Sequence, residues 1–539
     1  MKTKNIFKKA NLLLIITFIL LVPSSCSEEF TDRPSEDQVS LDAYYSSNNQ
    51  VATATNAMYN RTWFNFNNKF FYAIAEVGSG NMYTNSSDVN AMRNFSILGS
   101  DPELYNGWKS LWANIAQANA IINFLPDRVG PAVSSNVLNN TIGEAYFIRA
   151  TAYFYLVRLW GAVPIIENNL DFQDNPLIAK NRVEDVYELI RRDYMQASEL
   201  LFEKNRGSNY NDNAHVSKGS AKAMLAKVYL YLQDYSNAKL MAEEVINSGE
   251  FKLLGGTSLP SDSFSDLFKY EYNNNQESIF ALQWKIDGVY GSGNNCNTQF
   301  GISTSNVSTS NATYGGVFAP SQDILDLYET NDLRRKETIM LPGDVYPEVL
   351  AKFGTDFGQL VVPPANEIGG QGAGAAIKKY CIGIVNGNAT GKVDGFAMME
   401  NNTYIMRYAE LLLIHAEATL AGGASTSDAN ALSSFNAVRE RAGLAPLTSI
   451  TFDDIFTERR KELAFEGDYW FDLGRIPRAD AIAIMSAQDR GNMDVPNYFT
   501  PTTGNSPDNN GNDFLLPYPD NDLSKNPKLN EEAVPYVFN

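Results

Sequence analysis

Residues 143–164 read GEAYFIRATAYFYLVRLWGAVP. Apolar side chains recur almost all the way round a 3.6-residue period, so the spacing predicts a helix buried on every side. Gly161 is a natural stop and Pro164 lies just beyond it, and the start falls near Thr141. Upstream, Leu111, Ile115, Ala118 and Ile122 fall at i, i+4, i+7 and i+11 on one face of a helix that closes at Leu125-Pro126. Downstream, residues 182–202 form another helix. Residues 216–248 split at Asp234 into two helices that pair as an αα-hairpin.

Within that hairpin Leu225, Ala226, Tyr229 and Ala238 fit the small-residue spacing of a tetratricopeptide unit. A second unit falls at 404–442, with Ala416 in its first helix and Ala431, Phe435 and Val438 in its second. Small residues let antiparallel helices approach closely, and neighbouring hairpins then stack. The expected fold is therefore mostly α, a tetratricopeptide-like helical-hairpin scaffold over about 40–250 and 404–485. Long loop-rich stretches interrupt it at about 254–400 and 486–520, including GGQGAGAA at 369–376 and a short strand-like run from Ser278 to Trp284.

Composition narrows the function. The 539 residues are 44% hydrophobic, 12% aromatic and 19% charged, a globular rather than disordered balance. A net charge of −19 disfavours phosphate backbones, so a nucleic-acid partner is not expected. Three cysteines and two histidines are too few for a disulfide scaffold or a His-rich metal site. His215 and His415 fit no HExxH or triad spacing, and 369–376 lacks the GK[ST] ending of a phosphate loop. Asp508, Asn510 and Asn512 alternate like the start of a calcium loop without its glycine and glutamate. Cys296 and Cys381 could pair or stay free.

Two groups of residues could carry chemistry. Glu458, Glu462 and Glu466 recur at i, i+4, i+8, and paired carboxylates are what glycoside hydrolysis requires. Arg459, Arg460 and Arg475 lie nearby in sequence, and the stronger reading is an ion-pair network that fixes helix packing. The other group is aromatic. A sugar ring has an apolar C–H face and a rim of hydroxyls, so it needs a flat ring beside Asn, Asp or Arg. Trp63, Phe64 and Phe66 alternate with Asn65 and Asn67. Asn81 and Tyr83 follow Gly78-Ser79-Gly80, and Trp284, Tyr290 and Tyr314 punctuate polar loops. These eight are the ligand-binding candidates. Trp108, Trp112, Trp160 and Trp470 fall within stretches that resemble the scaffold motifs of a known family and read as core.

The helix at 143–164 also resembles, as EAYFIRA with Tyr153-Phe154 and Leu159-Trp160-Gly161-Ala162-Val163-Pro164, a signature of the SusD/RagB family. Other segments agree in order: Phe30 to Pro34, Trp108 to Asn119, Ser217 to Ala221, Asp326-Leu327-Tyr328 with Asp332 and Arg334, and Arg407-Tyr408-Ala409-Glu410. Val438-Arg439 with Arg441-Ala442-Gly443, Glu458-Arg459-Arg460 with Glu462-Leu463 and Glu466-Gly467, and Leu516 to Pro519 follow. The resemblance implies a cell-surface outer-membrane lipoprotein that binds oligosaccharides, or in some members peptides, above a SusC-like TonB-dependent transporter. It implies no enzymatic step and no cofactor. The N-terminus agrees. Lys2, Lys4, Lys8 and Lys9 precede the apolar run Leu12 to Val22 and Pro23-Ser24-Ser25, so residues 1–25 read as a signal peptide. Its resemblance to a lipoprotein signal makes Cys26 the lipidated first residue of a single SusD-like domain over 26–539, with an ordinary secretory peptide as the alternative. Ser27-Glu28-Glu29 resembles the acidic tag of surface lipoproteins of Bacteroidetes. Three other functions compete: a peptide-binding member of the family, a surface endoglycosidase and a helical scaffold that binds only proteins.

Overall fold

The computed structural model describes residues 44–172, 176–302, 316–353, 356–368, 374–381, 384–385, 388–389, 398–491 and 514–538. The array begins with α1 (Pro102–Phe124), where the Asp101 carboxylate accepts from the N–H groups of Glu103 and Leu104 at 2.8 and 3.1 Å and Pro102 opens the first turn. Helix α2 (Ser135–Trp160) starts ahead of Thr141, and its opening residues are largely exposed and polar apart from half-buried Val137 and Leu138, too short an apolar pattern to mark the start in the sequence. It ends at Gly161, whose φ of 71° lies in the region that favours glycine. From Ala145 onward α2 is buried on nearly all faces. Helix α3 (Val183–Leu200) is tied to it by a bidentate pair, Arg149 to Asp193, with both bonds at 2.7 Å.

Next come α4 (Lys218–Tyr231) and α5 (Tyr235–Ser248), divided at Asp234, which caps α5. Strand β1 (Ser278–Leu282) follows, then a hairpin of β2 (Val345–Phe353) and β3 (Asp356–Val361), then β4 (Thr403–Arg407). Helices α6 (Tyr408–Leu420), α7 (Ala429–Arg441), α8 (Phe452–Leu463), α9 (Tyr469–Arg475) and α10 (Arg478–Ala487) complete the scaffold. Each helix from α1 to α5 packs on its predecessor, and α5 packs on α6, so hairpins far apart in sequence are neighbours in space. Ala226, Ala238, Ala416 and Ala431 are fully buried, as close helix approach requires. Antiparallel pairing of β1 with β4, Leu282 opposite Thr403 and Ala281 opposite Tyr404, sews the long excursion to the array.

The carboxylates at 458, 462 and 466 are structural, but their partners come from distant segments. Glu462 meets Arg407 at 2.9 Å, Arg441 at 2.5 Å and Arg334 at 3.1 Å. Arg407 also reaches Glu277 at 2.5 Å and Glu466 at 2.6 Å, and Glu458 binds Arg334 at 2.7 Å and Arg439 at 2.9 Å. Arg459, Arg460 and Arg475, the neighbours in sequence, instead pair with Asp472, Asp323 and Asp472 at 3.0, 2.6 and 2.9 Å. Burial alone would raise the Glu462 pKa, but Arg441, Arg407 and Arg334 hold it far below the carboxylate range. The two cysteines are free and buried, the Cys296 thiol donating to the Tyr72 hydroxyl at 3.1 Å and the Cys381 thiol to the Ile377 carbonyl at 3.0 Å. Among the described residues no helix is long and apolar enough to cross a membrane. Cys26 and the signal segment lie outside the described residues, as do Asp508, Asn510 and Asn512.

Candidate functional site

Residues 56–78 wind through short 3₁₀ turns at Asn56–Tyr59 and Arg61–Trp63 and π turns at Phe66–Phe70 and Ala73–Gly78. This winding sends neighbouring rings in all directions into the core. Trp63 and Phe66 are each 0% exposed. The Trp63 indole N–H donates to the Met58 carbonyl at 2.7 Å, and Phe66 packs against Tyr155 with ring centres 4.8 Å apart. Asn81 is also fully buried. Its amide donates to Glu76 Oε2 at 2.9 Å, and its carbonyl oxygen accepts from Arg460 Nε at 2.8 Å. These three residues therefore present no face to a ligand, which corrects the expectation from sequence. Tyr83 is buried as well, with the Arg93 guanidinium 5.5 Å from its ring centre.

Three of the remaining candidates meet. Phe64 contacts Trp284 and Tyr290 edge-on, with ring centres 6.3 and 5.2 Å apart. Tyr290 is 51% exposed. Trp284 is buried, and its indole N–H is engaged by Thr403 Oγ1 at 3.0 Å. It is a wall rather than a stacking platform. Tyr314 lies outside the described residues.

Trp284 also lines a cleft of about 520 Å³. The β1–β4 ladder builds its floor. With Leu282 opposite Thr403, the next residues outward, Gln283 and Asn402, face one another. Gln283 and Asn274 exchange amide hydrogen bonds at 2.8 and 2.9 Å, and the Asn402 amide donates to both carbonyl oxygens at 3.0 Å. Asn274 holds a φ of 60°, which asparagine tolerates better than most residues. The Asn213 amide braces its carbonyl at 3.0 Å.

Rings flank this amide floor. Tyr210 comes from the loop before α4, and Tyr270 from the turn before β1; both are half-buried. Tyr210 leans on Tyr272, with centres 5.9 Å apart. Burial first, and then the Glu400 carboxylate to which its hydroxyl donates, raise the Tyr270 pKa, so the hydroxyl stays protonated at neutral pH. Glu400 Oε1 also accepts from the Ile286 N–H at 3.1 Å, while Glu271 and Lys285 stand exposed at the rim. The cleft thus offers half-covered rings, paired amides and fixed charges, the set that a polyhydroxylated ring can satisfy. Sequence reading missed Tyr210, Tyr270, Gln283, Glu400 and Asn402. The signal available was Tyr beside Asn in polar loops, in NYNDN at 209–213 and YEYNNN at 270–275.

An array of tetratricopeptide-like hairpins with a polar, ring-flanked cleft beside it is the architecture of a helical-repeat protein. The chain belongs to the SusD family: the family model so described matches residues 276–536, and a second, described as starch-binding and associating with the outer membrane, matches residues 29–230. A SusD-like protein of Bacteroides ovatus is 33% identical over 585 aligned positions, covering 99% of this chain and 100% of the relative. A crystal structure with xylogluco-oligosaccharide superposes with a TM-score of 0.77 at 30% identity, covering 91% of this chain and 99% of that one. A laminarin-binding SusD-like protein, at 24% identity and a TM-score of 0.68 over 89% of this chain and 98% of that one, shares the fold.

Proposed function

We propose that the protein captures oligosaccharides in the cleft beside Trp284 and delivers them to a SusC-like TonB-dependent transporter. In this reading it is held to the outer membrane through lipid on Cys26 and faces the cell exterior. The observation that carries it is the pairing of half-buried Tyr210 and Tyr270 with the amide floor of Asn274, Gln283 and Asn402. A ring can stack on tyrosine while its hydroxyls reach the exposed Glu271 and Lys285 at the rim, and the mutually bonded carboxamides hold the floor rigid beneath it. Exposed Tyr290, joined to Trp284 through Phe64, extends the surface for a longer chain. The binding partner of the structurally similar protein, a xylogluco-oligosaccharide, supports a glycan ligand.

No bond is made or broken in this mechanism. Glu458, Glu462 and Glu466 are buried and bound to guanidinium or ammonium groups, so they are poor candidates for acid–base work. Isothermal titration of the mature chain against oligosaccharide and oligopeptide panels tests the reading. Heat with a glycan that Tyr270→Ala weakens about tenfold supports it; heat with peptides alone replaces it with the peptide-binding alternative. Chromatography showing polysaccharide cleavage that is lost in Glu400→Gln would replace it with a hydrolase.

A further inference from the structure

Residues 206–213 form a small loop at the edge of the cleft, and four of them, Ser208 to Asn211, line it. The ends of the loop, Arg206 and Asn213, are buried, whereas Gly207 to Asp212 are exposed apart from half-buried Tyr210. The Arg206 guanidinium staples the two ends together. Its Nη1 donates to the Asn213 carbonyl at 3.0 Å, its Nε to Glu250 Oε1 at 3.1 Å and its Nη2 to Ser220 Oγ at 3.3 Å. Glu250 is held in turn by the Ser217 hydroxyl at 2.6 Å.

Both ends are also tied to the run that leads into β1 and carries part of the floor. The Gln276 amide donates to the Arg206 carbonyl at 2.7 Å, and the Asn213 amide donates to the Asn274 carbonyl at 3.0 Å. The Gln276 backbone is held independently, its carbonyl accepting from the Lys252 N–H at 3.0 Å. These ties do not bury the tip of the loop, which stays largely exposed; they fix where the tip stands. A tip of six residues left loose would have to be ordered by the ligand, at a cost in backbone and side-chain entropy that subtracts from affinity.

We propose that Arg206 and Gln276, neither of which lines the cleft, are positioning residues that clip the loop at 206–213 to the floor and so present Tyr210 to an oligosaccharide, an inference that rests on the capture reading above. They act through Tyr210, and their contribution to affinity is the ordering of its loop before the ligand arrives. Tyr210 leans on Tyr272 of the same run, so ring and floor are held by one stretch of chain.

Arg206→Met strips Glu250 of its guanidinium and puts the fold at risk, so the deciding variant is Gln276→Met, which keeps the length of the side chain and removes the donor. Two measurements are made on the full mature chain. The first is isothermal titration with neutral oligosaccharides, a xylogluco-oligosaccharide among them. Gln276→Met should weaken binding about fivefold and Tyr210→Ala about tenfold, and Gln276→Met added to Tyr210→Ala should bring no further loss. A residue that merely supports the fold would cost the same in both backgrounds. The second is trypsin cleavage of the Arg206–Gly207 bond, followed by mass spectrometry without any glycan. The Arg206 side chain is 1% exposed, so cleavage requires the loop to open, and Gln276→Met should speed it about fivefold. Unchanged affinity in Gln276→Met, an equal loss in the Tyr210→Ala background or an unchanged cleavage rate overturns the proposal and leaves the capture reading standing. Absence of heat with every oligosaccharide in the wild type overturns the capture reading, and the cleavage rate then decides whether Gln276 fixes the loop.

Discussion

Residues 63–72 and 270–290 are both rich in aromatic and asparagine side chains, yet the molecule uses them oppositely. The first stretch, WFNFNNKFFY, is wound into tight turns, and Trp63, Phe66, Phe70 and Tyr72 are 0% exposed. The second is extended or looped, and its Tyr270 and Tyr290 keep part of their surface while Asn273 and Asn274 line a cleft. A wound backbone turns successive rings about an axis, so every ring finds a packed neighbour. A strand end or loop separates successive rings and lets polar side chains stand between them. Aromatic content alone does not mark a binding surface; the backbone that spaces the rings does.

The comparison can be broken at several points. The largest effect belongs to Arg407, opposite Ser278 in the second region, which contacts three carboxylates. Arg407→Met leaves them under-compensated and should cost about 5 kcal/mol in urea unfolding. Trp63→Ala should cost about 4 kcal/mol through the cavity it leaves, with oligosaccharide affinity unchanged in the fraction that folds. A loss of affinity without loss of stability there would return Trp63 to the binding surface.

Glu76, at the end of the wound segment, gives a pH signature. Burial raises its pKa to about 7 despite hydrogen bonds from Asn81 and Gly467. The folded state therefore holds the proton more tightly than the unfolded chain. This group lowers stability as pH rises from about 4.5 through 7 and has no effect below that window. Glu76→Gln should flatten that decline by roughly 3 kcal/mol relative to wild type in chemical unfolding followed across pH. Parallel wild-type and variant curves would show that Glu76 titrates normally.

In the second region the effects move from stability to affinity. Tyr270→Ala should weaken oligosaccharide binding about tenfold, or ~1.4 kcal/mol, in titration calorimetry, with the unfolding midpoint nearly unchanged. The smallest effect is expected at Tyr290→Ala: stability within ~0.5 kcal/mol and a loss of affinity of about threefold for long oligosaccharides only. Equal losses for short and long chains would place Tyr290 at the primary ring position.

The scaffold was legible because its signals are local. Gly161, Asp234 and the buried period of residues 145–160 each act within a turn or two of themselves. The start of α2 was missed where the first turns are mostly polar. The cleft was mostly illegible because it depends on which residues pair across the chain. Asn402 faces Gln283 only through the β1–β4 register, and Tyr210 arrives from the loop before α4. The partners of Glu462 were misassigned for the same reason: helical spacing points to Arg459 and Arg460, while Arg334, Arg407 and Arg441 converge from three other segments. Phe64, Trp284 and Tyr290 were singled out by residue type, and their mutual contact is a tertiary fact.

The stacking of α5 on α6 sets an order of assembly. Residues 249–407 separate the two helices, so a chain emerging N-terminus first completes α5 long before its partner exists. Until then Ile246, which packs against the cluster of Leu412, Leu413 and Ala416 in the finished array, has no α6 to meet. Closing so long a loop costs only modestly more free energy than closing a short one, but it delays the contact. Residues 249–407 therefore fold beside an array whose α6-facing side is still uncovered, and apolar surface left open in that interval is prone to aggregation.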